Sequence, residues 1–137
     1  GLCAFLHTDT GDLSIASGGH NPPLLLEGEA GFKPIQIPRG LVVGAMPGIK
    51  YETQRLKLAP GDILFLYTDG VTEAMDGQGS LYGIERLIEY VNRHGSDEVY
   101  DLIEGVKSDI ESYAQGAPQS DDITMLSLKF KGPARAG

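Results

Sequence analysis

The stretch LFLYTDGVTEAMD, residues 64–76, begins as an apolar strand and ends in carboxylates. Extended back to Asp62, DILFLYTD has the continuous apolar character of a central strand covered on both faces, so Asp69 stands where that strand runs out. A second stretch, QSDDITMLSLKF at 119–130, is its mirror image: carboxylates first, apolar strand afterwards. Within it Ile123, Met125 and Ser127 alternate with Thr124, Leu126 and Leu128. If the two strands are antiparallel neighbours, the end of the first lies beside the start of the second. Asp69 and the pair Asp121 and Asp122 then leave the sheet at the same edge. Carboxylates clustered there repel one another and resist desolvation unless something neutralises them. A hard divalent cation, Mn²⁺ or Mg²⁺, is the simplest neutraliser for such oxygen ligands. Gly70 would let the backbone turn sharply after Asp69 and leave room for waters around the ion. The plainer alternative is that Asp-Gly is an ordinary turn and Asp-Asp solvates or caps a loop.

Outward from this pair, the first third of the chain reads as β-structure. CAFLHTD and LSIASGG are short strands flanking TGD, where Gly11 suits a tight hairpin turn. PPLLLEGEAGFKPIQI offers a second hairpin around EGEAG. RGLVVGAMPG, with glycines at both ends of a short apolar run, is a loop or broken strand, and YETQRLKL is a half-exposed strand. APGD is a turn, with Pro60 fixing φ and Gly61 free to take positive φ. After Gly79 the period changes. Ile84, Leu87, Ile88 and Val91 line one face of a helix with Gly95 as its stop. A second helix follows, with Ser96 as N-cap, Asp97 and Glu98 in its first turn, and Val99, Leu102, Ile103, Val106, Ile110 and Tyr113 as its apolar stripe. The order predicts an α+β domain in which two helices cover a mostly antiparallel sheet.

Composition narrows the function classes. At 137 residues and 41% hydrophobic content the chain has material for one core. A formal net charge of −8, with scattered basic residues, argues against a nucleic-acid partner because no basic stripe exists to displace counterions from phosphates. The single Cys3 excludes an internal disulfide framework and a cysteine-based zinc cluster, and reads as a small buried residue on a strand. No apolar run approaches the ~20 residues of a spanning helix, and GLCAFLHTD lacks the build of a signal peptide. The chain therefore reads as soluble and cytoplasmic. It opens in a strand without an initiator Met, as part of something longer would.

Taken together, GGHNPPLLL, RGLVVGAMPG, GDILFLYTDGVTEAMDGQGSLYGIERL and DDITMLSLKF resemble, in this order over about residues 1–130, the metal-dependent serine/threonine phosphatases of protein phosphatase type 2C kind. The resemblance is to their bacterial SpoIIE/RsbU-like branch. It implies an α-β-β-α sandwich in which a paired Mn²⁺ or Mg²⁺ centre activates water to attack a phosphoserine or phosphothreonine phosphorus. Carried over residue by residue, Asp69 of the TDG turn is a metal ligand, Asp121 of DDIT is a second, and Asp122 stands beside it. The implied substrate is a phosphorylated signalling protein of the anti-sigma-factor-antagonist class, and a sensor or receiver domain would precede residue 1.

The chain also departs from that pattern. Only the C-terminal half of the family's domain is present. The upstream turn like D-x-S-G-H-G, whose Asp bridges the two metals, is missing, together with an earlier acidic ligand. Residues 1–131 would then hold about half the protein ligands, with 132–137 as a tail, and would by themselves bind metal weakly and hydrolyse nothing. Gly18 replaces the Ala usual in relatives, a packing change. His20 could act as a general acid, but the favoured reading is that HNPP forms a rigid turn with His20 and Asn21 hydrogen-bonded to the backbone. Glu73 and Asp76 read as solvated loop residues, Tyr67 and Tyr82 as core or edge packing, and His7 and His94 as partly covered element ends. Two rivals remain: a non-catalytic phosphatase-like interaction module, and a hydrolase of small phosphate esters.

Overall fold

The computed structural model describes residues 1–119 and 121–134, so part of the expected tail, 135–137, lies outside the described residues. Ten elements follow one another: β1 (Leu2–Leu6), β2 (Asp12–Ser17), β3 (Leu24–Leu26), β4 (Phe32–Pro34), β5 (Thr53–Lys57), β6 (Ile63–Tyr67), α1 (Asp69–Thr72), α2 (Gly83–Arg93), α3 (Val99–Ala114) and β7 (Met125–Lys129). The strands form two sheets, ordered β1-β2-β5 and β4-β3-β6-β7, and every pairing in them is antiparallel.

The turns carry the expected chemistry. Gly11 sits at φ +81° between β1 and β2, and a Cβ there would run into the Leu58 carbonyl. Gly61 takes φ +99° in the turn before β6. Asp62 is buried in that same turn, accepting from the N–H groups of Gly28 and Ala59 at 3.0 and 2.8 Å, so it ties the β3–β4 hairpin to the entrance of β6.

Two apolar cores make three layers. Leu13 and Ile15 of β2 meet Leu25 of β3, Leu64 of β6 and Phe130 between the sheets. On the other face of the second sheet, Leu24, Ile63, Phe65 and Tyr67 pack under Leu87 and Val91 of α2 and Leu102, Val106 and Ile110 of α3. The class is α+β, and the described layers run helices, sheet, sheet. The expected antiparallel α+β layering is present, and the strands divide into two sheets because β5 pairs with β2 rather than with β6, its neighbour in sequence.

Local details are corrected as well. Cys3 is on β1 as expected, but it is exposed, as are Ala4 and Phe5 on the same edge strand. α2 ends at Arg93 with His94 as C-cap; Gly95 does not take positive φ and packs beside Leu26 and Phe32. Ser96 does not cap α3. The helix begins at Val99 after Glu98, and Asp101 is its first-turn acid. Asp97 bonds His94 at 3.1 Å instead, and the His94 ring stacks on Tyr90. Tyr67 and Tyr82 are buried, as expected.

Candidate metal centre

β6 and β7 are antiparallel neighbours with Tyr67 opposite Met125, so the end of the one strand lies beside the start of the other. The pairing continues past the strand ends. Thr68 N–H donates to the Thr124 carbonyl at 3.0 Å, and Thr124 N–H donates to Thr68 Oγ1 at 3.0 Å. The same hydroxyl donates to the Asp122 carbonyl at 3.1 Å. One threonine therefore clamps both acidic turns.

Asp69 opens the short helix α1, in which Gly70 and Val71 are buried. Gly70 is not at positive φ. The chain turns from β6 into α1 here without it, and the smallness of Gly70 serves a close approach: a Cβ at this position would collide with the backbone carbonyl of Asp122. The TDG turn can approach the DDIT turn this closely only without a side chain at Gly70.

Asp69, Asp121 and Asp122 line one open depression of about 250 Å³, together with Gly19, His20, Asn21, Thr68 and Thr124. Among the described residues, no lysine or arginine contributes to that lining. Asn21 Nδ2 donates to Asp69 Oδ1 at 2.6 Å. Asp121 Oδ1 accepts from Asp122 N–H at 2.8 Å, and Gln119 Nε2 donates to the Asp121 carbonyl at 2.6 Å. Beneath the site, burial and secondly the charge of Asp69 push the Tyr67 phenol up to about 12.

The depression gathers the three aspartates without drawing them into a closed ligand set. Among the described residues, no three Asp, Glu, His or Cys side chains stand close enough together to hold a metal ion. The donors suit a hard cation in kind, being carboxylate oxygens on a solvated rim, and fall short of a full coordination shell in number.

The neighbouring residues divide between turn and site. His20 Nδ1–H donates to the Asn21 carbonyl at 2.9 Å and its backbone N–H donates to Ser17 Oγ at 3.2 Å, the rigid turn expected of HNPP. The Asn21 side chain does not bond the backbone as expected, because Asp69 offers it a charged acceptor from 48 residues further along the chain. Sequence reasoning passed over Thr68 and read Asn21 only as part of the turn. Their signal was adjacency: both stand next to a residue already singled out. Glu73 is exposed, and Asp76 Oδ1 accepts from the N–H groups of Gln78 and Ser80 in its own turn, so neither reaches the depression.

No helix among the described residues is long and apolar enough to cross a membrane. The SpoIIE family, described as Stage II sporulation protein E, matches residues 1–131. Protein IcfG of Synechocystis sp. (strain ATCC 27184 / PCC 6803 / Kazusa) is 34% identical over 118 residues, which are 86% of this chain and 18% of IcfG. Among solved structures, the SiaA-PP2C domain of Pseudomonas aeruginosa is 25% identical with a TM-score of 0.72, over 88% of this chain and 46% of that one. The RsbU and RsbW domains of Rv1364c from Mycobacterium tuberculosis match at 23% identity and TM-score 0.75, over 98% of this chain and 36% of that one. The phosphatase domain of SpoIIE from Bacillus subtilis, presoaked in Mn, matches at 11% identity and TM-score 0.70, over 99% and 58%. The last two show the shared fold alone, and this chain spans less than two thirds of each of these proteins. With the family matched along nearly its whole length, the chain belongs to the SpoIIE/RsbU-like branch of the PP2C-type phosphatase domains.

Proposed function

We propose that these residues form part of a Mn²⁺- or Mg²⁺-dependent serine/threonine protein phosphatase, with Asp69, Asp121 and Asp122 as metal ligands. The observation that carries this reading is the convergence of the TDG and DDIT turns on one carboxylate-lined depression. Bound there, the cations would supply positive charge for the phosphate oxygens and lower the pKa of water to give a nucleophile near neutral pH. The chain's own residues do the rest. Asn21 orients the Asp69 carboxylate, Thr68 holds the two turns in register, and Gly70 allows their approach. The remaining ligands come from outside this sequence, so residues 1–137 alone bind metal weakly and are inactive. The substrate class is a phosphorylated signalling protein such as an anti-sigma-factor antagonist, and a preceding sensor or receiver domain would govern access to it.

The test is Mn²⁺-dependent dephosphorylation of a phosphoserine protein by the complete polypeptide that contains these residues, compared with its Asp69→Asn variant. Asn keeps the shape and removes the charge. The expected loss exceeds about 100-fold, since disturbing residues that only orient ligands already costs 10–100-fold, and the melting temperature stays within a few degrees. Unchanged turnover in Asp69→Asn rejects the ligand role. A non-catalytic interaction module would bind the phosphoprotein and turn over nothing. A small-ester hydrolase would show no preference for the phosphoprotein.

A further inference from the structure

A second groove adjoins the carboxylate depression. It has a volume of about 660 Å³, inside the ~300–1,000 Å³ usual for ligand sites. Gly19 and His20 line both hollows, so the two adjoin. Its walls are fixed by backbone contacts. Ile35 N–H donates to the Pro23 carbonyl at 2.8 Å, and Gly40 is pressed so closely on the Ser17 carbonyl that a Cβ there would collide with it.

The chemistry of this groove differs from that of its neighbour. Three prolines and two isoleucines supply stiff apolar walls, and among the described residues Arg39 is the one Lys, Arg, Asp or Glu in the lining. Arg39 is exposed, and among the described residues it enters no ion pair. In a chain of net charge −8, Arg39 gives the lining of this groove a positive charge where the lining of the depression is negative. Directly after it, Leu41, Val42, Val43 and Met46 stand 56–62% exposed, and Val42 lies against Gly19. A contiguous apolar rim of that kind fits a polypeptide better than a small ester.

We propose that this groove is the docking path for the polypeptide flanking the phosphorylated residue, and that Arg39 pairs with an acidic side chain of that flank. The inference rests on the protein-phosphatase reading and names the substrate feature that reading leaves open. Bound this way, the flank lies over the proline walls and the apolar rim while the phosphorylated side chain enters the depression at Asp69. The arginine's planar fork can engage a carboxylate with two hydrogen bonds, which sets direction along the groove.

The experiment uses the complete polypeptide with Mn²⁺ and phosphoserine peptides that differ only in acidic, alanine or lysine flanks. The ratio of kcat/KM for acidic over alanine flanks is the quantity read. An exposed ion pair is worth up to ~1 kcal/mol, so the expected ratio is about fivefold in the native protein. It falls to about one in Arg39→Ala, largely survives in Arg39→Lys, and turns in favour of lysine flanks in Arg39→Glu. High salt shrinks the native ratio. Equal ratios in the native protein and both Arg39→Ala and Arg39→Glu overturn the proposal, as does a native protein indifferent to flank charge. If the native protein cleaves p-nitrophenyl phosphate but none of the peptides, the protein-phosphatase reading itself fails, and the docking path with it.

Discussion

The backbone carbonyl of Asp122 lies so close above Gly70 that the space a β-carbon would occupy is already taken. Two acidic turns separated by two helices in the chain thus touch main chain to main chain. The contact is fastened on one side by the Thr68 hydroxyl. Replacing Gly70 by Ala forces the turns apart, since the neighbour is backbone rather than a flexible side chain. The expected cost is about 1–3 kcal/mol in urea unfolding, the range of overpacked sites. The same variant should weaken Mn²⁺ binding, because Asp69 and Asp122 move relative to each other. A Gly70→Ala protein with native stability and native Mn²⁺ affinity would show that the contact carries neither role.

Asn21 concerns affinity more than stability. Its amide holds one oxygen of Asp69 from an exposed position, so little packing is lost in Asn21→Ala. Titration calorimetry of the complete polypeptide with Mn²⁺ should show a Kd raised about 10- to 100-fold, the usual effect of removing a group that orients a ligand. The melting temperature without metal should stay within a few degrees. Asn21→Asp should be worse for the metal-free protein, since it sets a second carboxylate within hydrogen-bond distance of the first.

Much of this arrangement was legible in the sequence, for definite reasons. Helix α2 announced itself through Ile84, Leu87, Ile88 and Val91, because a stripe at helical spacing has one way to bury itself. A fully apolar β6 calls for partners on both edges without naming them, so the meeting of the two acidic turns rested on the condition that β6 and β7 pair, as they do. What periodicity does not carry is who meets whom across layers. The half-buried pattern of β5 is satisfied equally by β6 or β2, and the observed partner is β2. Asn21 reaching Asp69 is a single contact between side chains 48 residues apart, with no repeat to reveal it. Ser96 looked like a cap because serine before two acids is the usual N-terminal signal. The structure draws Asp97 back to His94 and starts the helix three residues after Ser96.

Asp62 gives a prediction about the fold alone. It is 4% exposed and accepts from two backbone N–H groups that belong to different turns. Asp62→Ala leaves the donors at Gly28 and Ala59 without that carboxylate, and hydrogen bonds to charged groups are worth ~1.5–3 kcal/mol each. A net destabilisation of about 2–4 kcal/mol is expected by chemical denaturation, with the two-sheet core loosened first, since this residue joins the β3–β4 hairpin to β6. Hydrogen exchange at Gly28 and Ala59 amides should speed up before exchange in α3 does. Uniform exchange across the molecule would mean that Asp62 is not the tie between those turns.

Tyr82 makes stability depend on alkaline pH. Its phenol is buried, donates to Asp109 Oδ2 at 2.6 Å, and has Arg86 and Tyr113 packed around it. Burial first, and then the bond to Asp109, raises its pKa well above the ordinary tyrosine value. A raised pKa in the folded state means that the fold favours the protonated phenol. The contribution is therefore complete below the unfolded value of ~10 and is lost progressively as pH climbs above it. Unfolding free energy should be flat across neutral pH with respect to this group and fall beyond pH ~10. The fall should accompany a component of the tyrosinate absorbance that appears only as the circular dichroism signal of the helices disappears and that is missing in Tyr82→Phe. In Tyr82→Phe the neutral-pH stability drops by about 1.5–3 kcal/mol, the worth of a hydrogen bond to a charged acceptor, and the alkaline slope becomes shallower. A tyrosinate signal that develops fully in the folded protein, with an unchanged slope in Tyr82→Phe, would place the ionising phenol elsewhere.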